Sequence, residues 1–471
     1  MSAGDASLLR RAAIAGLLLL LGWCGALLLI EGQGIGLADN GDGYRVLDKA
    51  FVPRAASIGD PAPGRTYPMA EIGENELRRL VPDSFSALIA QGAALAAKAL
   101  GAARFDIAWL TAAYLALFLG GVLLLMRALP SRGGKLAAAV AIAAILLCPV
   151  LVGYFNSPFE EAAVLALAPG WTALLLGTVR RRIPPIWLVL ATTLLIYAKP
   201  SMVLMLLPVA LVLWREPPRA RVLMLGFLVV VVGLGVMRNQ IRYGVPNAYN
   251  RVFDGLALSS AAVSTWPERD FLARRGVQQD RLGRTGFADT GLPESVAHHW
   301  GSPYWPEMTA LPREEQRALA VHGRLPAYLG TLLRDPALAL AVARESWLTA
   351  LRADYRLHYL YPGPLAEVWA WLLARLGHVL SLGVGLFVAA AAARRAVPAA
   401  LLLPLIVSPV FIVVADGYFE FEKHLLPYLA IGMFTIVAAA DLLLTGCCDR
   451  ASAGGARRAG PDDAASGPLT G

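Results

Sequence analysis

Apolar residues in this chain come in long runs, broken at regular intervals by short clusters of arginine, proline and acidic residues. Runs of roughly 17–25 apolar residues are long enough to cross a bilayer as helices. In lipid their backbone must hydrogen-bond internally, which forces the helical form. About ten such runs can be read, at about 11–30, 107–126, 136–155, 162–179, 183–198, 201–214, 221–237, 365–391, 398–415 and 424–445. The fifth and sixth are short and joined by a tight turn at Lys199-Pro200, which predicts a turn sunk into the bilayer. Two further stretches, 84–100 and 328–352, have helical periodicity, and both are predicted to lie along the membrane surface. The first run is too long and Leu-rich for a cleaved signal, with no clear small-residue cleavage site after it, and reads as a retained span.

Lysine and arginine mark alternate loops. Arg10-Arg11, Arg127 with Arg132 and Lys135, Arg180-Arg-Arg182, Arg215 with Arg219 and Arg221, Arg394-Arg395 and Arg450 with Arg457 and Arg458 all fall on one side. The positive-inside rule makes that side cytoplasmic and predicts that both termini lie there. The expected fold is therefore an all-α polytopic membrane protein of about ten transmembrane helices. It comprises a transmembrane domain over 1–445, with two long outer loops (31–106 and 238–364) that carry membrane-lying helices. A disordered, Ala/Gly/Asp/Pro-rich cytoplasmic tail over 446–471 follows.

Composition agrees. The 471 residues are 57% hydrophobic and 16% charged, and no soluble domain of this length could bury that much apolar surface. The net charge of +8 and pI near 9.4 would suit nucleic acid, but the basic residues cluster beside the spans, so no nucleic-acid partner is expected. Cys24, Cys148, Cys447 and Cys448 lack metal-ligand or disulfide-framework spacing. No metal site is assigned, and whether a cofactor such as a divalent cation takes part is left open.

The remaining loops hold the chemistry. Asp39-Asn-Gly-Asp42-Gly-Tyr-Arg45 follows the first span, where Asn and Gly favour a tight turn that converges two carboxylates. A placed carboxylate can serve as general base toward a hydroxyl; the same residues are also simply good turn formers. Asn156-Ser-Pro-Phe-Glu160-Glu161 lies at the outer ends of the third and fourth runs. Asn156 or Ser157 could cap the fourth helix, with Pro158 in its first turn and the two acids complementing its dipole. Lys199 is a cation between two apolar runs, read either as functional or as snorkelling to headgroups. The 416–424 stretch alternates acids and aromatics and ends in Lys423-His424, which could hold a phosphate at a helix N-terminus or anchor an interfacial belt. Arg242, Asn250 and Arg251 open the second long loop, where Arg forks suit phosphate or sugar hydroxyls as well as a solvated connection. His298-His299 is a weak metal candidate, and His378 is expected to serve helix packing.

At these residues the chain resembles the GT-C superfamily of integral-membrane glycosyltransferases. More narrowly, Asn40-Gly-Asp-Gly-Tyr-Arg45, Tyr154-Phe-Asn-Ser-Pro-Phe-Glu-Glu161, Ala198-Lys-Pro200, Asn247-Ala-Tyr-Asn-Arg-Val-Phe253 and Glu422-Lys-His-Leu425 are similar to hexose transferases of bacterial surface-glycan assembly. The resemblance implies transfer of a hexose from a polyprenyl-phosphate donor to an acceptor hydroxyl of a glycan, lipid or protein, at the periplasmic face of the inner membrane. It implies Asp42 or Asp39 as base and Glu160/Glu161 as a second acidic site. Lys199, Arg242, Lys423 and His424 would hold the donor phosphate, and Asn156, Arg45 and Asn250 would contact substrate. In place of the adjacent Asp-Glu pair common in protein mannosyltransferases stands Asp39-x-x-Asp42. The principal rival is a transporter or flippase of lipid-linked sugars, which predicts midplane charges and internal repeats; the sequence shows neither clearly. A membrane acyl- or phosphotransferase would need a placed nucleophile or base, for which His424 is the candidate, and a third alternative is a non-catalytic assembly partner of a glycan-export complex, against which the intact outer acid pair argues mildly.

Overall fold

The computed structural model describes residues 43–52, 66–69, 82, 84–257, 313, 321, 323–353, 355, 375–418 and 421–456. The first predicted span, Asp39, Asp42, His298-His299 and most of the second long loop lie outside the described residues, as does the tail beyond 456. The described chain is helical, apart from one short two-stranded ribbon.

A one-turn helix, α1 (Tyr44–Leu47), leads into a 3-10 turn and packs on α2 (Phe85–Ala99). Strand β1 (Thr66–Pro68), before α2, pairs antiparallel with β2 (Arg104–Asp106), after it, a two-stranded ribbon the hydrophobic pattern does not announce. Ser84 caps α2 by accepting from the Ala87 amide, and Gly101 ends it in the left-handed conformation at φ 82°. The inner face of α2 is mostly alanine, while Leu88 and Leu95 remain exposed on its outer face.

Asp106 caps α3 (Ile107–Ala128), accepting from the Ala108 amide at 2.8 Å. The next predicted span is two helices, α4 (Arg132–Leu147) and α5 (Pro149–Phe155), broken at Cys148-Pro149 where proline lacks the amide to continue the ladder. Then come α6 (Glu160–Val179) and α7 (Pro185–Ala198). A 3-10 turn over Pro200–Met205 leads to α8 (Leu206–Leu213), so the two short runs form a helical pair around Lys199. The long α9 (Pro218–Tyr249) ends in a π-helical segment, Asn250–Ala257. Two helices divided by the Asp335 cap, α10 (Leu325–Arg334) and α11 (Pro336–Arg352), occupy the stretch predicted to lie along the membrane. The bundle closes with α12 (His378–Ala392), α13 (Ala396–Asp416) and α14 (Phe421–Ala456). The last of these continues past residue 445, where the apolar pattern stops.

Five helices are long and apolar enough to span a membrane among the described residues: α3, α6, the first part of α9, α13 and α14. Four shorter apolar helices accompany them, at Phe85–Ala99, Pro185–Ala198, Pro200–Leu213 and His378–Ala392. This is an all-α membrane protein. At the centre stands α6, with 78% of its apolar window buried, whereas α9 is peripheral with 6% buried. α6 meets α3 through glycine: a Cβ on Gly121 would lie 2.6 Å from the Gly170 amide nitrogen. Small residues let membrane helices approach closely where no hydrophobic drive operates between them. Leu405 of α13 fills the same role in reverse, lying against Gly383 of α12 and Gly432 of α14.

Alternation along the chain gives the bundle two chemically different ends. The 180–184, 214–217 and 393–395 turns form an arginine-rich end. The turns at 156–159, 199–200 and 417–418 lie at the opposite end.

Candidate functional site

Cys148-Pro149 bends the chain so that α5 delivers Asn156 back to α3, where Thr111 Oγ1 donates to Asn156 Oδ1 at 3.0 Å. Asn156 does not cap α6. The cap position is Phe159, with no side-chain hydrogen bond, and Ser157 instead donates to the Tyr154 carbonyl at 2.8 Å. This turn separates the two glutamates. Glu160 is half-buried at the rim, its carbonyl accepting from Ser86 of α2 at 3.2 Å. Glu161 is only 3% exposed and points into the bundle.

Inside, it meets Lys199. That residue ends α7 in extended backbone (φ −147°, ψ 116°), which turns its side chain inward before the 3-10 turn begins. Its ammonium contacts Glu161 Oε1 and lies 3.1 Å from His424 Nδ1. The lysine is buried and paired, which excludes the snorkelling alternative. His424 Nε2 lies 3.1 Å from Asp416 Oδ2. One tautomer satisfies both contacts, with Nε2 donating to the carboxylate and Nδ1 accepting from the ammonium. Glu161, Lys199, His424 and Asp416 thus form one chain linking α6, α7, α13 and α14.

Two cations flank it. Lys423 is 2% exposed, with its ammonium 4.8 Å from the Phe159 ring centre, a cation–π contact rather than an interfacial anchor. Arg251, in the π-helical segment, donates to the carbonyls of Val414 (2.8 Å), Ala415 (2.9 Å) and Gly323 (2.7 Å). Its fork is occupied by the free carbonyls at the end of α13, so it is neither a phosphate clamp nor a solvated connection. Burial lowers the Arg251 pKa, and the nearby Asp416 charge raises it. The Tyr328 phenol is pushed above its ordinary range by burial, with smaller effects from Tyr418 and Arg251.

Gly417 makes the junction between α13 and α14. It sits at φ 70°, ψ −158°, and a Cβ there would lie 2.3 Å from the Asn250 carbonyl oxygen. Asn250 is thereby placed by its backbone against the end of α13, and it is buried. Among the described residues Ser201 Oγ, two residues from Lys199, is buried without a hydrogen-bond partner. So is Tyr114 Oη, which lies beside Ser86 and within electrostatic reach of Glu160 and Glu161.

Glu161, Lys199, Lys423 and His424 therefore converge, with Asp416 completing the group. Asn156 and Glu160 belong to the same turn but face α3 and α2. Arg242 lies on α9 and Arg45 on α1, and their side chains, like Asp39 and Asp42, are outside the described residues. No group of three His, Cys or carboxylate side chains among the described residues could hold a metal ion.

A second buried cluster, at the arginine-rich end, escaped the sequence reading. Asp441 of α14 accepts from Ser131 at the start of α4 and from Arg180 Nη2, while Arg180 Nη1 donates to the Ala128 carbonyl at 2.6 Å. The signal was available: an aspartate inside an apolar run is costly unless partnered.

A family model described as the YfdI N-terminal transmembrane domain matches residues 6–271. No curated protein and no solved structure matches the chain. The matched segment holds Glu161, Lys199 and Arg251, while Asp416, Lys423 and His424 come from beyond it. The match covers more than half of the sequence and falls on helices that the structure shows to be membrane-type, so the chain belongs to the family of the YfdI N-terminal transmembrane domain.

Proposed function

We propose that this protein is a GT-C-type glycosyltransferase. It moves a hexose from a polyprenyl-phosphate donor to an acceptor hydroxyl at the outer face of the inner membrane. The observation that carries this reading is the buried group at one bundle end. Lys199, Lys423 and Arg251 are gathered there around the Glu161 and Asp416 carboxylates. Buried cations gathered in a low-dielectric setting can stabilise an added anion. Membership of the YfdI family supports a glycosyltransferase-related membrane protein.

In the proposed reaction Asp42, or Asp39, takes the proton of the acceptor hydroxyl. The oxygen attacks the anomeric carbon, the bond to the phosphate oxygen breaks with inversion, and the lipid phosphate leaves. Lys199 engages Glu161 and His424 with two of its three N–H donors, so the third is available to a phosphate oxygen. Stabilising the leaving anion with fixed charges in a site shielded from water is often the largest single catalytic effect. What supports a base at Asp42 or Asp39 is the packing of the residues that follow it. Gly43, next to Asp42, starts the segment carried on α2, and α2 holds Glu160 through Ser86.

The test is transfer of radiolabelled hexose from polyprenyl-phosphate donors to membrane acceptors by the purified chain in liposomes. Loss of transfer in Asp42→Asn or Asp39→Asn, but not both, supports the reading and identifies the base. Labelled lipid crossing the bilayer with no donor consumed would establish the transporter instead.

A further inference from the structure

The arginine-rich end carries a cleft of about 790 Å³, lined by Thr178, Arg181, Arg182, Arg215, Glu216 and the prolines that flank them. It lies between the α6–α7 turn and the α8–α9 turn, far along α6 and α7 from Glu161 and Lys199. All three arginines are exposed, and none forms an ion pair among the described residues. Pro184, Pro185 and Pro217 restrict both turns, so the cleft is preformed.

Arg181 occupies it at a conformational cost. The end of α6 is a Schellman motif: the Arg182 amide donates to the Gly177 carbonyl (2.8 Å) and the Arg181 amide to the Thr178 carbonyl (2.9 Å). The motif places Arg181 at φ 54°, where glycine is the usual residue. A side chain is thus kept at the one position of the turn where its absence would relax the backbone.

The surroundings are apolar and open. Trp187 on α7 is 55% exposed, Trp214 is 66% exposed, and Ile186, Val222 and Leu223 are also exposed. The Arg221 guanidinium lies 4.4 Å from the Trp214 ring centre. Tryptophan and arginine together at the end of apolar helices mark a membrane–water boundary. Basic pockets between transmembrane helices on the cytoplasmic side bind anionic lipid headgroups.

We propose that this cleft is a binding site for an anionic phospholipid. Arg181, Arg182 and Arg215 would hold the headgroup phosphate, and the acyl chains would lie along the exposed faces of α7 and α9. Charge selects the headgroup, and the adjoining apolar walls favour a lipid over a free anion. The inference is independent of the glycosyl-transfer reading, because it concerns the opposite end of the bundle.

The experiment measures binding of fluorescent cardiolipin to the purified full chain in neutral detergent, with phosphatidylcholine and inorganic phosphate as competitors. Thermal unfolding is recorded in parallel. Wild type should bind cardiolipin saturably, displaced by unlabelled cardiolipin but not by phosphatidylcholine or phosphate. Arg182→Gln and Arg215→Gln should each weaken binding roughly fivefold. Arg181→Gly should weaken it similarly while its unfolding midpoint stays unchanged or rises, a pairing of effects that misfolding cannot produce. Equal binding by all variants, or no saturable binding by wild type, overturns the proposal. Displacement by phosphate alone would show a free-anion site and overturn the lipid assignment.

Discussion

Replacing Lys199 by methionine keeps the length of the side chain and removes its charge. Glu161 would be left in the bundle without the ammonium that now contacts it, and His424 Nδ1 would lose its donor. Breaking a buried pair by removing one partner costs about 3–5 kcal/mol, because the other charge stays desolvated. The lost hydrogen bond to His424 adds about 1 kcal/mol. Against a total stability on the order of 5–15 kcal/mol, Lys199→Met should be clearly destabilised. Glu161→Gln with Lys199→Met removes both charges and should return to within about 1–2 kcal/mol of wild type, since replacing a whole buried pair is often close to neutral. Denaturant unfolding in detergent micelles, followed by circular dichroism, yields the coupling between the two sites. Hexose transfer is measured on the same preparations. The double variant should fold and remain at least a hundredfold impaired, as expected on removal of one group that stabilises a developing anion. A single variant that loses less than about 1 kcal/mol would refute the buried pair. A double variant with full transfer would show the pair to be structural only.

Three further outcomes are expected. Gly417→Ala should cost about 1–3 kcal/mol, since φ 70° with ψ −158° is glycine-only backbone and the new Cβ meets the Asn250 carbonyl; thermal unfolding and transfer should both fall. Gly121→Ala should lose about 1–3 kcal/mol by forcing α3 from Gly170, while the neighbouring Gly120→Ala, with open space at its Cβ, should be neutral or slightly stabilising; unfolding midpoints of the pair decide it. Asp441→Asn leaves the Arg180 guanidinium facing a neutral group and should destabilise by a few kcal/mol, yet the folded fraction should retain transfer because the cluster lies at the other bundle end.

Hydropathy located the spans because each needs about twenty apolar residues, a property of local sequence. It also located the Lys199 turn and the helix α2. It could not see that Cys148-Pro149 divides one span into α4 and α5, since both halves are equally apolar. Caps were misjudged at α6: Asn156 and Ser157 have the chemistry of N-caps, but Thr111 and the Tyr154 carbonyl engage them instead. Lys199 was visible as an unusual cation, but its partners were not. Glu161 is 38 positions away and His424 is 225, and nothing local in a single sequence encodes such pairings. Arg251 illustrates the same limit, since its spacing fits a substrate fork as well as it fits three backbone carbonyls.

Arg251 also explains how two parts of the chain come to share one site. It belongs to the segment that matches the YfdI domain, yet its hydrogen bonds reach Val414 and Ala415, directly before Asp416, and Gly323, beyond the matched segment. Arg251 and Gly323 are therefore both held at the end of α13. From there the contacts run through side chains alone: Asp416 orients His424, His424 accepts from Lys199, and Lys199 neutralises Glu161. Each of these groups carries or receives charge, and Gly417 admits Asn250 too closely for the junction to shift without loss of a contact. A displacement of the α13 end would consequently alter the electrostatics at Lys199 as well as the backbone around it. The C-terminal helices are in this sense part of the site's chemistry, and the family segment by itself holds only one side of the charge chain.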